Sequence, residues 1–184
     1  KTSIRTGQLI STFGVGSLIP VHDKFEGAQS FIVAGLDYWR IQDRHRNVRR
    51  HINGTDLFRE ERLQSICGVE GFLSPPATTD DEGGGDDIPV YRFPLMVSCP
   101  ECHSLRKHNV FGPPEKNKCT KCNKNLVPSR FLLACYRGHL EDFPYEKWVH
   151  GRNVHQSEKH DLKLTSGGTS ASLSNMVISC ETCK

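Results

Sequence analysis

CPECHSLRKHNVFGPPEKNKCTKC, residues 99–122, is the stretch on which the fold turns. Two Cys-x2-Cys pairs, Cys99 with Cys102 and Cys119 with Cys122, stand sixteen residues apart. A two-residue spacer lets both sulfurs of a pair point at one ion, and two pairs complete the tetrahedron that zinc accepts. Between them lies Gly112-Pro113-Pro114, a turn signal of the kind that joins two strands. The spacing predicts a zinc ribbon. Four thiolates close the coordination shell and leave no position for substrate, so the expected role is structural rather than hydrolytic. His103 and His108 are near enough in sequence to substitute for a thiolate. Iron also accepts four cysteines in this arrangement, so a rubredoxin-like redox protein is the competing reading, and visible colour would separate the two.

Working outward, IPVYRFPLMV (88–97) carries alternating bulky residues and predicts a strand entering the first pair. Downstream, ACYRGHLEDFPYEKWVH (134–150) holds Cys135, His139 and His150, and MVIS (176–179) leads into a third pair, Cys180 and Cys183. With the first four cysteines used, the expected second zinc site is Cys135, His139, Cys180 and Cys183. The forty residues between His139 and Cys180 are no obstacle, since loop closure costs only about 0.6 kcal/mol per doubling of length. His150 or His155 could replace His139. The alternative is an enzyme in which Cys135 is a nucleophile activated by His139 or His150, with a third group to orient the base. An apolar setting of Phe131, Leu132, Leu133 and Ala134 raises a thiol's pKa unless a metal lowers it.

The N-terminal part reads differently. TGQLISTFGVGSL (6–18) has two glycines, but no Lys-Ser or Lys-Thr follows and Ile19 stands where a dinucleotide fingerprint needs glycine, so it is a turn and not a phosphate loop. SFIVAGLDYW (30–39) has the length and β-branched content of a buried strand. A helix is expected through DLFREERLQSIC (56–67), capped by Thr55 or Asp56, stopped by Gly68, and burying Leu63, Ile66 and Cys67 on one face. Between these, RIQDRHRNVRRH (40–51) is the densest basic block. Arg44, Arg46, Arg49 and Arg50 are candidates to meet phosphates, against the plainer reading of a solvated face. SPPATTDDEGGGDD (74–87) and TSGGTSASLS (165–174) have the composition of mobile loops.

The net charge of +3 counts every thiol as neutral. Thiolates holding two zinc ions bring the total close to zero, so nucleic-acid contact would rest on a local patch. No run reaches the roughly 18 apolar residues of a membrane span, and LISTFGVGSLIPV (9–21) lacks a cleavage site. Six of the eight cysteines fall in Cys-x2-Cys pairs, the usage of a reducing compartment, so a cytoplasmic protein is expected. A chain opening on Lys1 and stopping one residue after Cys183 reads as a piece of a longer protein.

RTGQLISTFGVGSLI, IVAGLDYW, ERLQSICGVEGFLSPP, VYRFPLMVSCPEC, LVPSRFLLACYRGHLEDFPYEKWVH and ISCETC together resemble the DrmB family of bacterial DISARM anti-phage components. The resemblance runs from Arg5 to Cys183, with RTGQL standing where the family commonly has RPSQL. It implies a zinc-binding accessory protein that pairs with a helicase subunit, DrmA, in a complex that engages phage DNA beside a methyltransferase. Cys99, Cys102, Cys119, Cys122, Cys135, Gly138, His139, Asp142, Phe143, Pro144, Trp148, His150, Cys180 and Cys183 match the family's pattern. The expected fold is α+β: a small irregular N-terminal α+β module (1–73), a flexible acidic Gly-rich loop (74–87), a zinc ribbon (88–134) and a second zinc-binding region truncated at its C-terminal end (135–184), the last two forming a loop-rich β module.

Overall fold

The computed structural model describes residues 5, 7–39, 57–73, 88–151, 159–167 and 173–183. The basic block at 40–51, the acidic loop at 74–87 and the expected caps Thr55 and Asp56 lie outside the described residues. Short helices and small antiparallel sheets make an α+β, loop-rich chain. It divides into two compact units, Lys1–Ile19 with Phe31–Tyr91, and Pro20–Ser30 with Arg92–Lys184.

In the first unit a single helical turn, α1 (Gln8–Ser11), leads to a loop at Gly14–Gly16. Gly14 is obligatory there, because a Cβ would lie 2.7 Å from the Ile10 carbonyl oxygen. Strands β1 (Leu18–Asp23) and β2 (Gly27–Val33) form a hairpin, of which only the open end, Leu18–Ile19 and Phe31–Val33, belongs to this unit. The apolar run expected as one strand to residue 39 ends early: β2 stops at Val33, and Leu36–Trp39 wind into a 3-10 turn after Gly35. β3 (Leu57–Phe58) pairs antiparallel with β4 (Phe72–Leu73), setting Phe58 against Phe72. Between them, α2 (Glu61–Cys67) ends at Gly68 in the left-handed conformation. The helix expected from residue 56 is therefore half as long. The Leu57–Leu73 pairing takes its first residues, and Gln64 Oε1 accepts from the Glu60 N–H in place of the expected cap. Its apolar face is not a core face either: Ile66 is 78% exposed and Cys67 is exposed.

The second unit is built on one five-stranded sheet. The expected strand at 88–97 is split: β5 (Val90–Arg92), which extends the β1–β2 sheet, ends before Pro94, which has no N–H to donate to a ladder. β6 (Met96–Ser98) then starts the ribbon, followed by β7 (Ser104–Lys107), the turn α3 (His108–Phe111) and β8 (Val127–Pro128). A hairpin of β9 (Leu132–Ala134) and β10 (Leu140–Asp142) leads to α4 (Tyr145–His150). β11 (Leu162–Ser166) and β12 (Met176–Cys180) return to the sheet, whose order is β12-β11-β7-β6-β8.

Side chains alternate across a sheet, and neighbouring residues of β6 accordingly serve two cores. Val97 packs with Cys99, Phe111, Cys119 and Leu126. Met96 faces the other way, toward Leu105, Leu162, Leu164, Ile178, Tyr145 and Phe143. Register makes this second face continuous: Leu162 lies opposite Leu105 on one side and Cys180 on the other, and Leu164 opposite Ile178. Tyr145 closes it, its hydroxyl 2.6 Å from Ser129 Oγ, and the Asp142 carboxylate accepts from the Leu95 and Met96 N–H groups. The tip of the β1–β2 hairpin belongs to this unit. The buried Asn117 donates from Nδ2 to the carbonyls of Glu26 and Leu126, and its backbone N–H donates to the Glu26 carboxylate.

Candidate metal centres

The first centre is made by two knuckles of the same shape. After β6, the Cys99 N–H donates to the Ser104 carbonyl and the His103 N–H to the Cys99 carbonyl; in the second, Cys119 donates to Lys124 and Asn123 to Cys119. In each, the residue after the second cysteine turns the chain in the left-handed region, His103 at φ 60° and Asn123 at φ 54°. The four sulfurs lie within 4.8 Å of one another. Cys102 Sγ and Cys119 Sγ are 3.8 Å apart, which is the separation of about 3.8 Å that sulfurs take on a tetrahedral zinc with bonds of about 2.3 Å. Cys99 and Cys119 are 1% and 2% exposed.

The thiols of this set shift one another's protonation. Burial raises the Cys102 thiol, but the Ser104 hydroxyl and backbone, with Cys99 and Cys122, outweigh it and bring the pKa down to about 6. Burial together with the Cys102 and Cys119 sulfurs pushes Cys122 up to about 12, and burial also raises Cys99. One thiolate therefore forms readily and opposes its neighbours until a metal charge offsets them.

The second group of donors is His150, His160, Cys180 and Cys183, again within 4.8 Å of one another. Cys180 ends β12, so the sheet delivers it. The β11–β12 ladder continues past the strands: Glu181 N–H donates to the Asp161 carbonyl, Asp161 N–H to Thr182 Oγ1, and Thr182 Oγ1 to the Lys159 carbonyl. That pairing carries His160 to the knuckle, with Nδ1 3.4 Å from Cys183 Sγ and 3.8 Å from Cys180 Sγ. His150 arrives from the last turn of α4, which packs on β12, and its ring lies 4.3 Å from that of His160. Its Nδ1 is 2.8 Å from the Glu146 carbonyl, which can only accept. A proton is thus on Nδ1, and Nε2 is the nitrogen left to meet the Cys180 thiol or a metal. An imidazole fixed by a carbonyl behind it and facing a thiol in front has the arrangement of a metal ligand. Burial raises the Cys180 thiol, but the His160 ring, the backbone of Thr182 and Cys183, and His150 outweigh it and lower the pKa to about 6. The Glu146 carbonyl, then Cys180, raise that of His150.

Two groups of four donors that could hold metal ions are therefore present, and the second departs from the expected set. Cys180 and Cys183 are in it; Cys135 and His139 are not, and His150 and His160 stand in their place. The reason is the β9–β10 hairpin, which ties Cys135 and His139 to each other at its exposed tip. Of the two alternatives that the sequence offers, His150 is in the group and His155 lies outside the described residues, whereas His160 is not foreseen. Its signal was position: two residues ahead of the apolar alternation LKLTS that pairs with MVISC. Among the described residues no third side chain holds the His139 ring, whose partner is Cys135 Sγ at 3.4 Å, so the triad logic of an activated nucleophile is not assembled there. His103 and His108 are outside both groups, and Arg44, Arg46, Arg49 and Arg50 lie outside the described residues. Among the described residues no helix is long and apolar enough to cross a membrane.

The sequence profile of a family described as "Domain of unknown function (DUF8724)" matches residues 5–184. Among curated proteins, the chain is similar to DISARM protein DrmB of Bacillus paralicheniformis, 28% identical over 157 residues. The match covers 84% of this chain and 26% of that relative's length.

Proposed function

The chain belongs to the DUF8724 family, and on that premise we propose that it is a non-enzymatic, zinc-bearing scaffold of an antiviral complex of the DISARM type. One zinc ion sits in each group of four donors. The ions fix the knuckles to the five-stranded sheet, the folded unit pairs with a helicase subunit, and DNA is engaged through that complex. The likeness to a DISARM protein supports the assignment to defence. The observation that carries the structural role is that each tetrad has four protein donors, which closes a tetrahedral shell and leaves no place for a substrate. None of the eight cysteines forms a disulfide, in keeping with a reducing cytoplasm.

The test is elemental analysis of the purified chain and its variants. The wild type is expected to carry two zinc ions, His160→Ala and Cys180→Ser one, and Cys135→Ser two. One ion in the wild type, unchanged by His160→Ala, would remove the second centre. Co-purification with the helicase subunit then tests the scaffold role: it should survive Cys135→Ser and fail when Cys99 and Cys119 are replaced. Pairing that persists after loss of both ions would overturn that role.

A further inference from the structure

The tip of the β9–β10 hairpin is left over once both tetrads are assigned. Leu140 pairs with Ala134, and the five residues between them form a tight loop in which the Cys135 N–H donates to the His139 carbonyl and the Gly138 N–H to the Cys135 carbonyl. Gly138 takes φ 82° to close it, a conformation in which a side chain would be strained. The loop aims two soft donors the same way: Cys135 Sγ and His139 Nδ1 are 3.4 Å apart, and both residues are exposed. On a tetrahedral zinc, a sulfur at about 2.3 Å and an imidazole nitrogen at about 2.0–2.1 Å stand about 3.5–3.6 Å apart. The pair is spaced for one ion before any ion arrives. The neighbouring cation, Arg137, is engaged elsewhere, its Nε donating to Tyr136 Oη and its guanidinium lying over the Tyr136 ring.

We infer that Cys135 and His139 form a third metal site, a two-donor clip for a soft divalent ion such as zinc, cadmium or cobalt, with its remaining positions open. It differs in kind from the tetrads. Those are closed by four protein ligands; this one presents a metal at a loop tip where Tyr136 is 91% exposed. An outside donor, a water or a side chain, completes its shell. The Cys thiol must lose its proton to the buffer as the ion binds, and no electrons move.

Cobalt(II) titration of the chain carrying zinc in both tetrads tests this. The expected result is a further, weaker equivalent with a thiolate-to-cobalt charge-transfer band, lost in Cys135→Ser and weakened at least tenfold in His139→Ala. It should persist in Cys67→Ser, which removes the other exposed cysteine outside the tetrads. Alkylation of Cys135 should slow when that equivalent is bound. The absence of a further equivalent in the wild type would show that the pair is only a thiol–imidazole hydrogen bond and overturn the site. Survival of the band in the Cys135→Ser, His139→Ala double variant would also overturn it. Zinc content of the tetrads, measured alongside, reports separately on the closed centres.

Discussion

His103 illustrates how much a single residue can be asked to tolerate. It occupies the left-handed region at the end of the first knuckle, and the Leu164 N–H donates to its carbonyl. Asn123 holds the equivalent place in the second knuckle, and asparagine adopts that conformation more readily. Among the described residues, no hydrogen bond requires an imidazole at 103. His103→Gly should relieve about 1–2 kcal/mol of backbone strain and give back about 0.5–1 kcal/mol in unfolded-state entropy. A net gain of roughly 0.5–1 kcal/mol is expected in denaturant unfolding of the zinc-loaded chain. A loss of stability there would mean that the side chain has a partner role.

At the scale of elements, β11 decides most. It lies between β7 and β12, and Leu162 stands opposite a residue of each. Leu162→Ala should cost about 2–5 kcal/mol in denaturant unfolding. It should also weaken metal binding at the second centre, because Leu162 is paired with Cys180, a proposed ligand. The exposed Leu173 provides the control, with a change near zero expected on truncation to Ala. Some of this was legible in the chain and some was not. The strand MVIS entering Cys180 could be read because four apolar-to-small residues ran straight into a metal pair, and the first tetrad because its spacing is local. The pairing of Leu162 with Leu105, 57 residues apart in the chain, has no local signature, and without it His160 has no reason to be near Cys183. The helix at 56–67 was read too long for the same reason: Leu57–Phe58 are helix-compatible by pattern, but a partner strand at Phe72–Leu73 claims them. Its apolar face, with Ile66 exposed, shows that apolar residues at i, i+3 and i+4 do not by themselves define a core.

For the molecule as a whole, acid acts through the metal centres. A metal-bound thiolate is one held deprotonated, so its effective pKa is depressed by the ion, and binding strength is present at high pH and lost as pH falls. In the first centre Cys99 and Cys122 are raised, the latter to about 12, so both must release protons on binding at neutral pH. Cys102 and Cys180, at about 6, have largely given up their protons by neutral pH. Zinc affinity of the first centre should therefore climb with pH right through neutrality, by about tenfold per pH unit for each proton that leaves. Calorimetry in buffers of differing ionisation enthalpy counts those protons. Fewer than one proton released at the first centre would contradict the thiol energetics described.

The two centres also differ in when they can exist. All four ligands of the first, and the core around them from Val97 to Leu126, are contiguous in the chain. The second waits for Cys183, which follows Cys122 by 61 residues. At a synthesis rate of roughly 5–20 residues per second, that gap lasts about 3–12 s on the ribosome. On the reading proposed above, the emerging chain would capture its first ion and fold the ribbon while α4, β11 and β12 are still being made. The open edge of β7 then serves as the template on which the later strands are laid.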